Sequence, residues 1–409
     1  MTIFGSWPLC VRRVVIADRL RSTSAILGAV APNDVLRIAY LADPNELLAR
    51  EWMTFFARRG HTVTLIVRDA TVIADGFDPA ISIHRMGPIG GIAGRMTFLD
   101  ARRVIRAALG IVRPDVLHVH DLTTGFGWMA RLSGFHPYVI TAFGSDVYLA
   151  MRRSWLARLV GRFSLSGADL VTMESHDLEW AAVKAGANPS RVRVVQFGVD
   201  TSHYKPGALD AGLRHRLGLE GRRVLFAPRT IAPLYDHMTL VRVLPGLPAD
   251  VVVLMSARNA ISTYLADVLT LAADLGVADR ITIVPWIEHD EMPSFYTLAD
   301  VVVSIPFSDS VSVSVLEAMA CGRPIVASDL PSPREWLADV WPELMVASGE
   351  PGALLEAVRM ALSMPLMELE RRGAVSRAMV QQRGERESNL LLAEELYRGL
   401  VAARRRQGT

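Results

Sequence analysis

One segment of the chain holds the residues whose types and spacing best suit the binding of a charged ligand. It spans residues 300–335 and reads DVVVSIPFSDSVSVSVLEAMACGRPIVASDLPSPRE. A buried strand is predicted to end at Pro306, and a polar loop at 308–314 leads into a helix. Successive main-chain amides at the start of a helix attract an anion, and small serine side chains let a diphosphate approach closely. We therefore expect an anion site in this loop.

Two acids accompany this loop. Glu317, one turn into the predicted helix, is placed to accept hydrogen bonds from two hydroxyls of a ribose. Asp309, eight residues earlier, is placed to reach a sugar ring on the other side of the phosphates. Spacing alone leaves a second interpretation open, in which the segment is a capped helix with an exposed acid.

The elements that position these residues follow a repeating pattern of apolar runs and amphipathic helical segments. The helical segments of the first half are predicted at 46–59, 102–111 and 177–185. The first series of predicted strands comprises residues 37–41, 62–67, 116–119, 138–141, 170–173 and 192–195. After a turn-rich stretch at 198–207, the second series comprises residues 224–227, 251–255, 281–284, 301–304 and 324–327.

This alternation predicts an α/β protein with parallel sheets and right-handed crossovers. Unbroken runs such as VVVLM and VVVS are typical of strands buried on both faces. Because the pattern restarts near residue 200, we expect two doubly wound, Rossmann-like domains that face each other across a cleft. Ligands of such sheets bind at the carboxyl ends of the strands, so the cleft is the predicted active site.

The predicted domain organisation has four parts. Residues 1–35 are an N-terminal extension of uncertain structure, 36–200 the first domain and 201–375 the second. Residues 376–409 are predicted to be a helical segment that returns towards the first domain. Its last helix, at 385–406, carries an apolar stripe formed by Leu390, Leu392, Leu396 and Leu400.

The composition is that of a globular protein with a large core. The 409 residues are 51% hydrophobic and 21% charged, and the mean hydropathy is +0.26, which excludes a disordered chain and a coiled coil. No run of about 18 apolar residues occurs, so no membrane-spanning helix is predicted. Charged residues interrupt positions 12–21, where a signal peptide needs an apolar stretch, and two cysteines make no disulfide framework. We therefore expect a cytoplasmic protein.

The charges are unevenly distributed. Residues 1–200 hold 23 basic and 17 acidic residues, whereas the remainder holds 21 and 25. A basic first half favours an anionic substrate or a membrane surface, and we expect no nucleic-acid partner. Lys184 and Lys205 are the only lysines in the sequence, so phosphate contacts must come mostly from arginine, main-chain amides or helix N-termini.

The segment at 300–335 resembles the signature of retaining GT-B glycosyltransferases of family four, the group 1 glycosyl transferases. Their pattern is two glutamates separated by seven residues, followed by Ala-Met-Ala-x-Gly-x-Pro-Val. This chain has Asp309 in place of the first glutamate, and Ala-Met-Ala-Cys-Gly-Arg-Pro-Ile-Val follows Glu317. Four further segments resemble family motifs in order: RRGHTVTLI at 58–66, RPDVLHVHD at 113–121, FGVDTSHYKP at 197–206 and PWIEHDEMPSFYTLADVVV at 285–303. The resemblance implies the GT-B fold for residues 36–400.

The resemblance implies three catalytic residues. Arg229 matches the arginine that neutralises the departing diphosphate, Asp309 the acid that faces the transferred sugar, and His120 a histidine near sugar and acceptor. Arg229 is also open to interpretation as an ordinary interdomain ion pair. We expect only one of His118 and His120 to serve the site, on the assumption that the two side chains point to opposite faces of their strand, and we choose His120 because it lies nearer the carboxyl end.

The resemblance also implies a donor site and an acceptor side. Glu317 matches the acid that holds the ribose, and the main chain of Trp286 and Ile287 falls where the family contacts the base. Tyr235 stands where the family usually has a second cation, a lysine. The loop around the diphosphate comprises Ser310, Val311, Ser312, Val313 and Ser314. On the acceptor side, the family's Gly-Ser-Asp element matches Gly144, Ser145 and Asp146, where Asp146 is equally open to interpretation as a helix N-cap.

The implied reaction moves a sugar from a nucleotide-diphosphate donor to a hydroxyl of a glycan or lipid-linked acceptor, with retention of configuration. No metal cluster or Asp-x-Asp element occurs in the sequence, so we expect neither a metal nor a cofactor, with Arg229 and a helix dipole in the metal's place. A nucleotide-sugar epimerase of the same architecture and a non-catalytic sugar-nucleotide-binding protein remain alternatives. A dehydrogenase is disfavoured, because the G-x-G-x-x-A match at 125–130 starts five residues after its strand and no suitably placed acid follows.

A basic amphipathic segment at 151–163 suggests a membrane surface as a further partner. On a helical projection its apolar side chains share one stripe with arginines along the edges. The alternative is that the stripe packs on its own sheet and the arginines are merely solvated. The apolar residues are Trp155, Leu156, Leu159, Val160 and Phe163, and the basic residues are Arg152, Arg153, Arg158 and Arg162.

Overall fold

A computed structural model describes residues 35–74, 76–87, 98–122, 125–144, 146–150, 154–310 and 312–407. The elements below lie in the compact unit Arg37–Thr409. Four sequence predictions fall outside the described residues: the extension before residue 35, Ser145, Val311, and the pair Arg152 and Arg153.

The first sheet has seven parallel strands in the order β3-β2-β1-β4-β5-β6-β7. All six strands predicted in the first series are confirmed, with ends that shift by at most one residue. The strands are β1 Arg37–Leu41, β2 Thr62–Arg68, β3 Ile81–Met86, β4 Val116–His120, β5 Tyr138–Ala142, β6 Leu170–Met173 and β7 Val192–Val194.

The second sheet has six parallel strands in the order β10-β9-β8-β11-β12-β13. Its strands are β8 Arg223–Ala227, β9 Val251–Ser256, β10 Ile281–Val284, β11 Val301–Ser304, β12 Ile325–Ser328 and β13 Met345–Val346. Two strands, β3 and β13, were not predicted. Both are edge strands: β3 buries only its first and last residues, with three polar residues between them, and β13 has two residues.

Helices connect the strands, as expected for doubly wound sheets. In the first half they are α1 Leu47–Arg58, α2 Phe98–Val112, α3 Phe126–Ser133, α4 Trp155–Ser166 and α5 His176–Ala185. In the second half they are α6 Ala211–Arg216, α7 His237–Val243, α8 Ser262–Asp274, α9 Met292–Leu298, α10 Val313–Ala320, α11 Pro331–Leu337, α12 Pro351–Ser363, α13 Leu366–Arg383 and α14 Arg386–Gln407. Within the described residues, none of the helices is both long enough and apolar enough to cross a bilayer.

The last helix, α14, packs on the first sheet, but through a different face from the predicted stripe. Its buried residues are Leu390, Ala393, Glu394, Tyr397 and Val401, whereas Leu392, Leu396 and Leu400 are only partly buried. The prediction counted leucines alone and missed a tyrosine and a glutamate that are buried because they have polar partners. The domain boundaries assigned from the sequence stay a prediction.

Tyr397 fixes this packing through its hydroxyl. The Trp52 indole nitrogen donates a hydrogen bond to it at 3.2 Å, and the hydroxyl lies 2.6 Å from Nδ1 of His118 on β4. A short distance along the helix, Glu394 pairs with His61, 3.3 Å away. The carboxyl-terminal helix therefore holds the buried end of a strand that leads into the cleft.

Replacing Tyr397 by phenylalanine should lower the stability of the protein. The change leaves the Trp52 N–H and His118 without their buried partner, which costs about 1–3 kcal/mol. For a domain of this size, the midpoint of thermal unfolding falls by about 2–4 °C per kcal/mol. Leu391→Ala on the exposed side of α14 is the matched control and should change little. Equal midpoints for wild type and Tyr397→Phe would contradict this packing.

Candidate active site between the two sheets

The carboxyl ends of both sets of parallel strands meet at one junction. The side-chain hydroxyl of Ser310, from the loop before α10, donates a hydrogen bond of 2.7 Å to the main-chain oxygen of Phe143 at the end of β5. Gly144 follows with φ of 106°, and a Cβ atom there would lie 2.8 Å from the Cβ of Ser310. The predicted diphosphate loop and the predicted acceptor side are therefore in direct contact.

Arg229 lies just past the end of β8 and is central among the candidate site residues of the second domain. Its guanidinium donates to the hydroxyl of Ser312 and lies 3.5 Å from an oxygen of Asp309. It also stacks over the ring of Tyr235 at 4.3 Å. The structure thus brings together four residues predicted for the site, and Tyr235 meets Arg229 through its aromatic face.

The charges of Arg229 and Asp309 depend on each other. Burial raises the pKa of Asp309 to about 6, and the neighbouring guanidinium limits that rise. Burial opposes the charge of Arg229, but the Asp309 carboxylate and Tyr235 outweigh it and raise the pKa of the guanidinium. The second carboxylate oxygen of Asp309 is buried and has no hydrogen-bond partner within the described residues. It is therefore available to a ligand.

The start of α10 lies beside this pair. Ser312 is the N-cap residue, and its hydroxyl contacts Ser314 at 2.5 Å and Arg229 without bonding to an amide of the helix. The amide of Val315 already donates to the main-chain oxygen of Ser312 at 3.0 Å. The two preceding amides, of Val313 and Ser314, make no hydrogen bond within the described residues, and the helix dipole adds positive potential next to the guanidinium. Val313 and Ser314 are partly buried in the first turn of α10. This arrangement suits a diphosphate.

Glu317 lies further along α10 and is buried. The hydroxyl of Tyr296, on α9, donates a hydrogen bond of 2.7 Å to one of its carboxylate oxygens. Burial raises the pKa of Glu317, and hydrogen bonds from Tyr296 and Tyr204 partly offset the rise. The sequence predicted the acid but gave no sign of the two tyrosines.

Trp286 and Ile287 follow β10 at the same edge of the second sheet. Ile287 is buried, whereas the Trp286 side chain is 48% exposed. The Arg258 guanidinium lies 4.0 Å above the Trp286 ring. Arg258 follows β9, and the sequence analysis did not single it out.

His118 and His120 share one face of β4, so the assumption that they point to opposite faces was wrong. Residues two apart along a strand lie on the same side of the sheet, and the two rings are 4.2 Å apart. His118 is held by Thr141, at 2.7 Å, and by Tyr397. Both ring nitrogens of His120 are buried with no hydrogen-bond partner within the described residues. His118 thus has a structural role, and His120 is the histidine left for a ligand.

Asp146 begins a π-helical turn, Asp146–Ala150, and its carboxylate accepts three main-chain hydrogen bonds. The donors are the amides of Gly144 at 3.0 Å, Val147 at 2.9 Å and Leu122 at 3.1 Å. Burial and the nearby Asp121 nevertheless raise the pKa of Asp146 to about 6. The residue therefore ties together the turns that follow β4 and β5, which is more than the N-cap function that the sequence left open.

Glu174, directly after β6, is a cleft residue that the sequence analysis missed. It is buried, and charge interactions with Asp309, Glu46 and Asp146 add to burial in raising its pKa well above that of an ordinary carboxyl. The signal was present, because residues 170–173 were predicted as a strand and Glu174 is the first polar residue at its carboxyl end. Despite these acids, no group of three metal-binding side chains is found in the described part of the chain.

Replacing His120 by phenylalanine should reduce the loss of stability in acid. Burial lowers the pKa of His120 to about 3, so the folded protein keeps it neutral, while the unfolded chain takes up a proton below pH ~6.5. The contribution of His120 to the unfolding free energy is therefore fully present above pH ~6.5 and is lost as the pH falls below that value. The fall in unfolding free energy between pH 7 and 5 should be about 2 kcal/mol smaller in the variant. Urea unfolding measures it, with exposed His215→Phe as control. Equal losses in His120→Phe and wild type would contradict the prediction.

Comparisons with known proteins place this chain in a family. Residues 37–175 match the family model described as glycosyl transferase 4-like, and residues 221–364 match the model of the glycosyl transferases group 1. The chain is 34% identical over 205 residues to a D-inositol 3-phosphate glycosyltransferase of Acidothermus cellulolyticus, covering 47% of this chain and 45% of that protein. Over 301 residues it is 30% identical to the enzyme of that name from Mycolicibacterium gilvum, covering 66% of each. The chain spans about half the length of the first curated relatives it matches.

Solved structures agree in fold. Sucrose-phosphate synthase from Thermosynechococcus elongatus superposes with a TM-score of 0.74 at 20% identity, covering 90% of this chain and 99% of that one. Anabaena HepE, in complex with UDP and glucose, gives a TM-score of 0.74 at 17% identity and covers 89% and 100%. The two parallel sheets, the ordered motifs and both family models lead to one conclusion: the chain belongs to the GT-B glycosyltransferases of family four, the group 1 glycosyl transferases.

Proposed function

We propose that this protein is a retaining, metal-independent glycosyltransferase that moves a sugar from a nucleoside-diphosphate donor to a hydroxyl of a glycan or lipid-linked acceptor. The observation that carries the proposal is the partly buried guanidinium of Arg229 beside Asp309 and the first two amides of α10. A partly buried cation next to a helix N-terminus is suited to the charge that develops on a departing diphosphate. These groups take the place of a metal ion in the proposal.

The donor is proposed to be a UDP-sugar. Support comes from family membership and from the fold shared with Anabaena HepE, whose structure was solved with UDP and glucose. Glu317 would hold the ribose hydroxyls, and the main chain of Trp286 and Ile287 would contact the base. The diphosphate would lie against Arg229 and the start of α10. The unpartnered oxygen of Asp309 would then face the sugar.

The acceptor is proposed to enter from the first domain, between His120 and the turn that Gly144 and Asp146 form. In the retaining reaction its hydroxyl attacks the anomeric carbon from the face that the diphosphate leaves. The bond to the diphosphate breaks as the new glycosidic bond forms, and the leaving phosphate takes the hydroxyl proton. Since burial keeps His120 neutral, it contributes hydrogen bonds and no charge.

A transfer assay with labelled nucleotide sugars, in EDTA and with and without acceptor, tests the proposed function. We expect labelled product only when acceptor is present, at a rate that EDTA does not change. Conversion of the donor sugar to an epimer without acceptor would indicate an epimerase, and binding without turnover a sugar-nucleotide-binding protein. Activity lost in EDTA and restored by Mg²⁺ or Mn²⁺ would overturn the metal-independent mechanism.

Arg229→Ala should reduce turnover by about two orders of magnitude or more, by analogy with the loss of one donor to an oxyanion. Arg229→Lys keeps the charge but loses the fork that reaches both Ser312 and Asp309, so its rate should lie between those of Arg229→Ala and wild type. Arg242→Ala, at an exposed arginine of α7, is the matched control. A rate for Arg229→Ala within threefold of wild type would contradict this role.

Peripheral attachment to the inner face of a membrane is proposed as part of this function. Helix α4 begins at Trp155 and buries Gly161, Ser164 and Leu165. Its predicted apolar stripe is largely exposed, with Trp155 72%, Leu156 57%, Leu159 53% and Phe163 40% accessible. Arg158 and Arg162 are exposed along one edge of these side chains. An apolar face with arginines at its border suits the surface of an anionic leaflet and would bring the first domain to a lipid-linked acceptor.

Co-sedimentation with vesicles tests the membrane proposal. We expect binding to anionic but not neutral lipid, lost in about 0.5 M salt, where screening shortens the field to a few ångströms. The pair Arg158→Glu and Arg162→Glu should abolish binding. The pair Arg102→Glu and Arg106→Glu, at exposed positions of α2, makes the same charge change and should not. Equal binding to both lipids, or none to either, would contradict the proposal.

A further inference from the structure

Glu174 is a buried acid beside the cleft, and the hydrogen bonds of the fold leave one of its carboxylate oxygens without a partner. It follows β6, is 4% exposed, and its Oε1 atom has no hydrogen-bond partner within the described residues. A buried polar atom without a partner is unfavourable in a folded protein, so such an atom beside a cleft is a candidate for binding a ligand.

The position of Glu174 is fixed by the residues that follow it. The Ser175 hydroxyl lies 2.9 Å from the hydroxyl of Ser332 in the second domain. Glu335, also in the second domain, accepts hydrogen bonds from the amides of His176, at 3.2 Å, and Asp177, at 2.9 Å. The turn between β6 and α5 is thus attached to the opposite domain. Glu174 therefore stands at the junction of the two domains.

The groups around Glu174 are acids from both sides of the cleft. Asp309 acts on it from the second domain, and Glu46 and Asp146 act on it from the first. Burial and these charges favour the protonated carboxyl, which both donates and accepts a hydrogen bond. Such surroundings disfavour a phosphate and suit an uncharged hydroxyl group, which also donates and accepts.

Among the neighbouring charges that raise the pKa of Glu174, the charge of Asp309 has the largest effect. Asp309 has an unpartnered oxygen of its own, Oδ2. Each domain thus provides one buried carboxylate with an unpartnered oxygen, the charges of the two carboxylates act on each other, and the proposed function puts the transferred sugar next to Asp309. We propose that Glu174 binds a hydroxyl of that sugar together with Asp309 and so helps to select the donor. This inference rests on the proposed function and adds to it a sugar-binding residue from the first domain.

Calorimetric titration with UDP-glucose and with UDP tests the inference on the full chain. Glu174→Ala should weaken UDP-glucose binding by about threefold to tenfold, the loss expected for one hydrogen bond, and change UDP binding by less than twofold. Glu174→Gln keeps a donor and an acceptor and should bind UDP-glucose within about twofold of wild type. Glu335→Gln perturbs the same turn from outside the cleft. Any change that it makes in affinity should therefore be the same for UDP-glucose and UDP.

The outcomes separate this inference from the function on which it rests. Wild-type protein that binds neither UDP-glucose nor UDP would overturn the proposed donor, and the inference with it. If wild type binds both ligands and Glu174→Ala binds UDP-glucose as tightly as wild type does, the inference alone fails. It also fails if Glu174→Ala weakens both ligands equally or if Glu174→Gln does not restore binding. Thermal unfolding of each variant shows whether a loss of ligand binding comes from misfolding.

Discussion

The guanidinium of Arg229 is largely shielded from water, and such a group needs negative charge or hydrogen-bond acceptors nearby. The rest of the candidate site is arranged around this requirement. One carboxylate at 3.5 Å, the Ser312 hydroxyl and the face of Tyr235 surround it. The carboxylate is itself costly to ionise in this environment. Burial disfavours the charged form of Asp309, so this acid neutralises the charge of Arg229 only in part. A bound diphosphate would add the remaining negative charge. Tyr235 stands where the resemblance implies a second cation and carries no positive charge, so in the proposed mechanism the amides of α10 would supply more of the positive potential.

The same loop connects the donor side to the first domain. Ser310 bonds to the main chain at Phe143, and the missing side chain of Gly144 allows the close approach. The Asp146 carboxylate then bonds to the Gly144 amide and to Leu122 after β4. The loop proposed to hold the diphosphate and the turn proposed to hold the acceptor are therefore joined by a continuous set of hydrogen bonds.

Much of the fold was predictable because buried parallel strands are continuous apolar runs, and their carboxyl ends place Arg229 and Asp309 at one edge. The edge strand β3 was missed because its pattern mixes polar and apolar residues. The error over His118 and His120 was one of strand periodicity and was avoidable, and Glu174 was visible at a strand end. In contrast, the stacking of Arg229 on Tyr235, the hydrogen bond from Tyr296 to Glu317 and the burial of Tyr397 join distant parts of the chain. No local pattern encodes such contacts.

The account depends on a diphosphate that leaves from the same face at which the acceptor hydroxyl attacks, next to a fixed positive charge. The anomeric configuration of the product, read by NMR from the coupling constant of the transferred sugar's anomeric proton, tests this most directly. The measurement is made on product formed with a donor of known configuration. The account predicts that product and donor share the same anomeric configuration. An inverted product would contradict it, because inversion requires attack from the opposite face and a base to take the proton there.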